Sequence, residues 1–166
     1  MALADFISFG AKVADIGTDH GFLPVYLAQR GHADRIIASD ISAASLSAAR
    51  RTAKLAGVTD AVTFIVAPGL DGITQNDKEC IDTIIIAGMG GETILGILDN
   101  APWIKCKKIK LILQQQSKVD MLARFLYDNG YKIQETKSVI DKGRHYTIFL
   151  VVYNKVNIEL TLGNGS

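Results

Sequence analysis

The stretch VADIGTDHGFLP, residues 13–24, decides how the chain is to be read. An apolar run halts at an acid, Asp15, turns through Gly17, and meets a second acid, Asp19, beside His20 before apolar character resumes. The first half reads as a buried strand, KVADIG (12–17). The second opens into LPVYLAQRG, a helix stopped by Gly31. A strand, a glycine turn and a helix make one β-α unit. The segments downstream repeat it.

RIIASD (35–40) is strand-like, and SAASLSAARRTAKLAG (42–57) is a helix with Ser42 as its cap, basic residues late and Gly57 as its stop. AVTFIVA (61–67) is β-branched and aromatic, hence a strand. IDTIIIAG (81–88) is apolar on both alternating faces, as a strand covered on two sides must be. GETILGILDN (91–100) is a helix, KIKLILQQQ (108–116) a strand, and SKVDMLARFLYDNG (117–130) a helix with Ser117 as candidate cap and Gly130 as stop. The pattern then breaks. YKIQETKSVI and HYTIFLVVYN are joined only by DKGR, and so short a link permits antiparallel pairing alone. The expected fold is α/β: an open, mostly parallel seven-stranded sheet with helices on both faces and a C-terminal antiparallel hairpin. One domain is expected over residues 1–162, with 163–166 as a disordered tail.

Composition narrows the classes. The 166 residues suffice for one substantial core; 48% are hydrophobic and 21% charged, ordinary for a globular protein and too apolar for disorder. A formal charge of +1 supplies no global field for nucleic acid or membrane, so any basic surface must be local. No apolar run approaches the roughly eighteen residues of a membrane span, and the first ten residues do not read as a secretion signal. Two cysteines, Cys80 and Cys106, form no C-x-x-C pair and read as free thiols. A cytoplasmic protein, without metal or membrane and monomeric or weakly self-associating, is the expectation.

In such a sheet ligands bind beyond the carboxyl ends of the strands, near the point where strand order reverses. The residues at those exits are Asp15, Gly17, Asp19 and His20; Ser39 and Asp40; Ala67, Pro68 and Gly69; Gly88, Met89, Gly90 and Gly91; and Gln114 to Gln116. A nicotinamide dinucleotide would need G-x-G-x-x-G to bring backbone against its pyrophosphate. Here Gly17 and Gly21 are spaced G-x-x-x-G, and Asp19 would oppose a phosphate. S-adenosylmethionine, with its cationic sulfonium and ammonium, suits an acidic loop. Asp40, 23 residues after Gly17, is placed for ribose hydroxyls. IAGMGGETI (86–94) sets three glycines around Met89, leaving room for a flat base beside a polarizable side chain.

VADIGTDHGFLP, ASDIS, DTIIIAGMGGETILGIL, LILQQQ and LYDNGYKIQE…HYTIFLV together resemble the TrmK family, bacterial tRNA methyltransferases acting on N1 of adenine 22. The similarity runs from about residue 11 to residue 162. It implies a Rossmann-like class I methyltransferase domain, S-adenosylmethionine as donor and tRNA as substrate. Carried onto this chain, it implies cofactor contacts from Asp15, Gly17, Thr18, Asp19, His20, Asp40, Ile41, Pro68, Gly69, Leu70, Gly88 and Met89. Substrate contacts fall to His20, Gly91, Gln114, Arg144 and Tyr146, and catalysis to Asp19, Met89 and Gly90. Methylating adenine N1 builds positive charge on the ring, and Asp19 is the carboxylate expected to meet it. His20 either orients Asp19, touches substrate, or bonds a backbone carbonyl.

The chain departs from the family in four places. Family members usually continue into a C-terminal helical domain, whereas this sequence stops near IELTLG. Gly-Asp-Gly-Leu is replaced by Ala67-Pro68-Gly69-Leu70, removing an acid that Asp71 is near enough to substitute. Leu-Gln-Pro becomes Leu113-Gln114-Gln115, and the segment before KVADIG is short. Two further readings therefore stay open: a methyltransferase of this fold with a small molecule or another RNA as substrate, and a non-catalytic S-adenosylmethionine-binding module. Lys105, Lys107, Lys108 and Lys110 read either as phosphate contacts or as a solvated face.

Overall fold

Five parallel strands form the body of the sheet in the computed structural model: β1 (Ala11–Ile16), β2 (Ala33–Asp40), β3 (Thr63–Val66), β4 (Thr83–Met89) and β5 (Lys110–Gln115). The structure describes residues 2–154; the expected tail at 163–166 and the last residues of the 1–162 domain lie outside the described residues. β6 (Tyr131–Asp141) and β7 (Arg144–Tyr153) complete a seven-stranded sheet of order β3-β2-β1-β4-β5-β7-β6, with β7 antiparallel to both neighbours. The chain winds outward from β1 through β2 to β3, then returns to lay β4 against the other side of β1. That reversal is the switch point, and it opens a crevice at the carboxyl ends of β1 and β4.

The central strands are inaccessible because both faces are covered. Ile84 and Ile86 of β4 and Leu111 and Leu113 of β5 pack with α4 (Gly91–Asp99) and α5 (Val119–Asp128) through Ile94, Leu98, Leu122 and Leu126. Ile85 and Ile112 point the other way, with Val13, toward Leu23 and Leu27 of α1 (Phe22–Gln29) and Phe6 and Ile7 of the amino-terminal segment. A strand read as apolar on alternate residues thus feeds two cores. Burying such a side chain contributes about 1.5–3 kcal/mol, which is why these strands need no polar relief.

α2 (Ala43–Leu55) begins as expected, with the Ser42 side chain accepting from the Ser45 N–H at 3.2 Å. The expected cap of α5 is corrected: Lys118, not Ser117, holds the N-cap position in a left-handed conformation, and no side chain caps the helix. Ser117 instead offers its carbonyl to the Gly91 N–H at 2.8 Å, so its backbone serves the neighbouring helix. A short α3 (Gln75–Cys80), capped by Thr74, carries the return crossover to β4 and had no periodicity to announce it. Lys110 lies at the amino end of β5, away from the crevice, where its Nζ donates to the Phe6 carbonyl at 2.7 Å. That lysine is structural rather than a phosphate contact. No helix among the described residues is long and apolar enough to cross a membrane.

Candidate functional site

The β1–α1 loop is shaped by backbone bonds to β2. Gly17 and Thr18 both donate to the Ser39 carbonyl, at 2.8 and 3.1 Å. Gly17 takes φ +75°, and a side chain there would collide with the Met89 methyl. Asp19 follows at φ +55°, a left-handed conformation that Asp tolerates better than most residues. An acid therefore stands in a left-handed conformation that glycine adopts most readily. Its N–H donates to Asp40 Oδ2 at 3.1 Å, while Asp40 Oδ1 accepts from the Ser42 N–H at 2.9 Å. Asp40 thus ties the loop to the start of α2 and holds its carboxylate in one orientation at the end of β2.

Asp15 sits one residue before the end of β1 and is buried. Burial pushes its carboxyl from the ordinary 3.8 up to about 7; the Asp40 carboxylate adds to the rise and the Thr18 side chain opposes it. The Thr18 hydroxyl itself makes no hydrogen bond of normal geometry and, like the Ser39 hydroxyl, is buried without a partner. Of the two, Thr18 lines the second of two adjoining cavities at this end of the sheet, and Ser39 lines neither.

A cavity of about 590 Å³ opens here, lined among others by Gly17, Asp19, Asp40, Ile41, Pro68, Gly69, Gly88 and Met89. Its charged lining residues are Asp19 and Asp40, with no lysine or arginine among them, so it favours a cation and repels a pyrophosphate. A second cavity of about 610 Å³ shares Gly17, Asp19, Ala87 and Gln114 with the first, and adds Asp15, Thr18, His20, Phe22, Ile140 and Lys142. Asp19 and Gln114 stand on the wall common to both. Such a pair of adjoining chambers can hold a donor and an acceptor on either side of one carboxylate.

Several expected residues lie elsewhere. Leu70 is a core residue, 3% exposed, that lines only a side pocket of about 200 Å³ with Asp71 and Asn100. Asp71 lines that side pocket and not the cavity itself, although Pro68 lines both. Gly90 and Gly91 line neither chamber: a Cβ on Gly90 would meet Ser117 Oγ at 2.9 Å, and one on Gly91 would meet the Lys118 carbonyl at 2.6 Å. They let the start of α4 pack against the start of α5. His20 is exposed, its Nε2 4.0 Å from Asp19 Oδ1 and its ring 5.5 Å from that of Phe22. The histidine bonded to a carbonyl is a different one, His32, whose Nε2 lies 2.7 Å from the Ile7 carbonyl. Arg144 and Tyr146 are on the hairpin, outside both cavities. Sequence reasoning missed Thr93 and Ile97 as lining residues; their spacing of four on α4 was the available signal.

Residues 1–149 match the family model for a methyltransferase domain. The chain is 30% identical over 148 residues, 89% of its length, to the tRNA (adenine(22)-N(1))-methyltransferase of Bacillus subtilis and covers 61% of that protein. It spans, that is, about three fifths of this curated relative. A Streptococcus pneumoniae structure in complex with S-adenosyl-L-methionine is 29% identical with a TM-score of 0.86, covering 93% of this chain and 72% of that one. M. capricolum TrmK in complex with S-adenosyl-homocysteine is 30% identical with a TM-score of 0.80, covering 93% and 67%. With its Rossmann-like sheet and its crevice at the switch point, the chain belongs to the methyltransferase-domain family. Within that family it is similar to the TrmK proteins.

Proposed function

We propose that this chain is an S-adenosylmethionine-dependent methyltransferase domain that acts on N1 of an adenine in tRNA, at position 22. The single observation that carries the reading is the acid-lined, cation-free cavity at the switch point, joined through Asp19 to a second chamber. The residues present fit the donor: Asp40 offers a fixed carboxylate at the end of β2, Gly88 lines the cavity at the end of β4 without a side chain, and Asp19 supplies negative charge. When bound, S-adenosylmethionine supplies an electrophilic methyl group on a cationic sulfur.

The chain's own work is then to bind, align and compensate charge. Asp40 and the glycine turn hold one partner, and the wall of Asp19 and Gln114 meets the other. Adenine N1 becomes positive as it is methylated, and Asp19 is positioned to stabilise that charge or accept a proton from the exocyclic amine. Alignment supplies most of the rest, so a short catalytic set suffices. Asp19 and Gln114 make the substrate wall, with His20 beside it. Met89, packed over Gly17, shapes the cavity floor. Action in the cytoplasm, where tRNA resides, belongs to the same reading, as does a monomeric or weakly associating chain.

The test is incubation with methyl-labelled donor and an unmodified tRNA transcript, followed by nucleoside analysis. The expected product is 1-methyladenosine, abolished by a guanine at position 22. Donor binding without transfer to any RNA would favour a non-catalytic module, and transfer to a small molecule the other alternative.

A further inference from the structure

The β6–β7 hairpin is longer than the sheet it joins. β7 pairs with β5 as far as Gln115↔Thr147, where β5 ends. The β6–β7 ladder goes on for Val139↔Tyr146, Ile140↔His145 and Asp141↔Arg144. At about 3.4 Å per residue, that overhang carries the turn roughly 10 Å past the carboxyl end of β5. The turn residues Lys142 and Gly143 have φ of +50° and +77°, the pattern of a type I′ turn, whose twist suits a paired hairpin. Further back, Lys137 Nζ lies 3.8 Å from Asp5 Oδ2 and 5.9 Å from the centre of the Phe6 ring, tying the hairpin to the amino-terminal segment. The overhang is an arm with a braced base, not a loose loop.

Its position gives it a purpose. Val139, Ile140, Asp141 and Lys142 wall the second cavity, whose lining also includes His20 and Phe22 from the β1–α1 loop. Ile140 is 67% exposed and Phe22 60%, two large apolar side chains left in water at one cleft. Beyond them Lys142 and Arg144 are exposed, and neither is in an ion pair among the described residues. Against these two cations the tip carries one acid, Asp141. Apolar jaws with free cations beside them match a nucleobase and its flanking phosphates.

We propose that the overhanging tip of β6–β7 is an RNA-gripping arm, in which Ile140 and Phe22 close on a base while Lys142 and Arg144 neutralise the phosphates beside it. The proposal rests on the reading of the chain as an RNA methyltransferase and names the element that holds the strand. Lys142→Asn with Arg144→Gln removes both charges, and Asn-Gly is the favoured type I′ pair, so the arm keeps its fold. Binding of a fluorescently labelled, unmodified tRNA transcript is measured by anisotropy across a salt series. The double variant is expected to bind about 5–20-fold more weakly, with the slope of log affinity on log salt reduced by about 1.5, as the loss of two phosphate contacts predicts. Ile140→Ser is expected to weaken binding several-fold at an unchanged slope, and S-adenosylhomocysteine affinity to stay constant in both. In turnover the loss falls on KM for tRNA. Unchanged affinity and slope in the variants, or no RNA binding by the wild type, overturns the arm. A wild type that binds RNA through the arm yet transfers no methyl group sustains the arm and overturns the catalytic reading instead.

Discussion

Asp19 shows how much one residue's backbone matters. At φ +55° it occupies a conformation in which most side chains are strained, and its N–H is bonded to Asp40. Asp19→Asn keeps the left-handed tolerance and removes the charge. Turnover is expected to fall at least tenfold with an unchanged melting temperature; full turnover would dismiss Asp19 from catalysis. Asp40→Ala removes a carboxylate that accepts from two backbone N–H groups, and hydrogen bonds to charged groups are worth about 1.5–3 kcal/mol. Calorimetry with S-adenosylhomocysteine should show affinity reduced about 10–100-fold. Asp15 is predicted to report through pH. Unfolded, it loses its proton near 3.8; folded, it keeps it to about 7, so the folded state binds the proton more tightly. Stability contributed by this group is full below pH 3.8, declines as pH rises across that window, and is lost above 7. Thermal melts of Asp15→Asn should therefore lack this decline, and the variant should match or exceed the wild type at pH 8.

Among the elements, the junction of α4 and α5 leaves no room for a side chain on Gly91. The Gly91 N–H donates to the Ser117 carbonyl at 2.8 Å, and a Cβ on Gly91 would stand 2.6 Å from the Lys118 carbonyl and 2.8 Å from that of Ser117. Both obstacles are backbone, which cannot swing aside. Gly91→Ala is expected to cost about 1–3 kcal/mol in chemical denaturation. Lys118, at φ +57°, is the opposite case: Lys118→Gly relieves a left-handed strain of about 1 kcal/mol and should leave stability equal or higher. Neither glycine run nor helix periodicity distinguishes these roles. Gly-Met-Gly-Gly reads as one ligand loop, yet Gly88 faces the cavity while Gly90 and Gly91 face the turn that leads into α5. The division follows from the direction each Cα points after the strand ends.

For the molecule as a whole, the winding order makes the site. Parallel crossovers place every functional loop at one end of the sheet, and the reversal between β1 and β4 parts two of them. A ligand that fills the resulting cavity binds the folded chain alone, so saturating S-adenosylhomocysteine at about 100 times its dissociation constant should add about 2.7 kcal/mol to stability. An unchanged melting temperature under that load would argue against the cofactor assignment. The hairpin borders the sheet beyond β5 and carries its own overhang to the same end, so the crevice and the hairpin tip lie together at the carboxyl end of the strands.

The alternation of apolar runs and glycine-stopped helices was enough to establish the α/β class, the reversed final strand and the acids at the strand exits. Those features are local: strand burial shows in periodicity, a four-residue link excludes a crossover, and an acid at a strand's end is visible in the string. Tertiary structure alone decided which of those residues share a chamber. It joined Asp40 to Asp19 across 21 positions, moved Gly90, Gly91 and Leu70 out of the cavity, and brought Ile140 and Lys142 to the cavity wall of Phe22. Contacts between residues distant in the chain depend on strand order and register, and a single sequence carries no local signal for either.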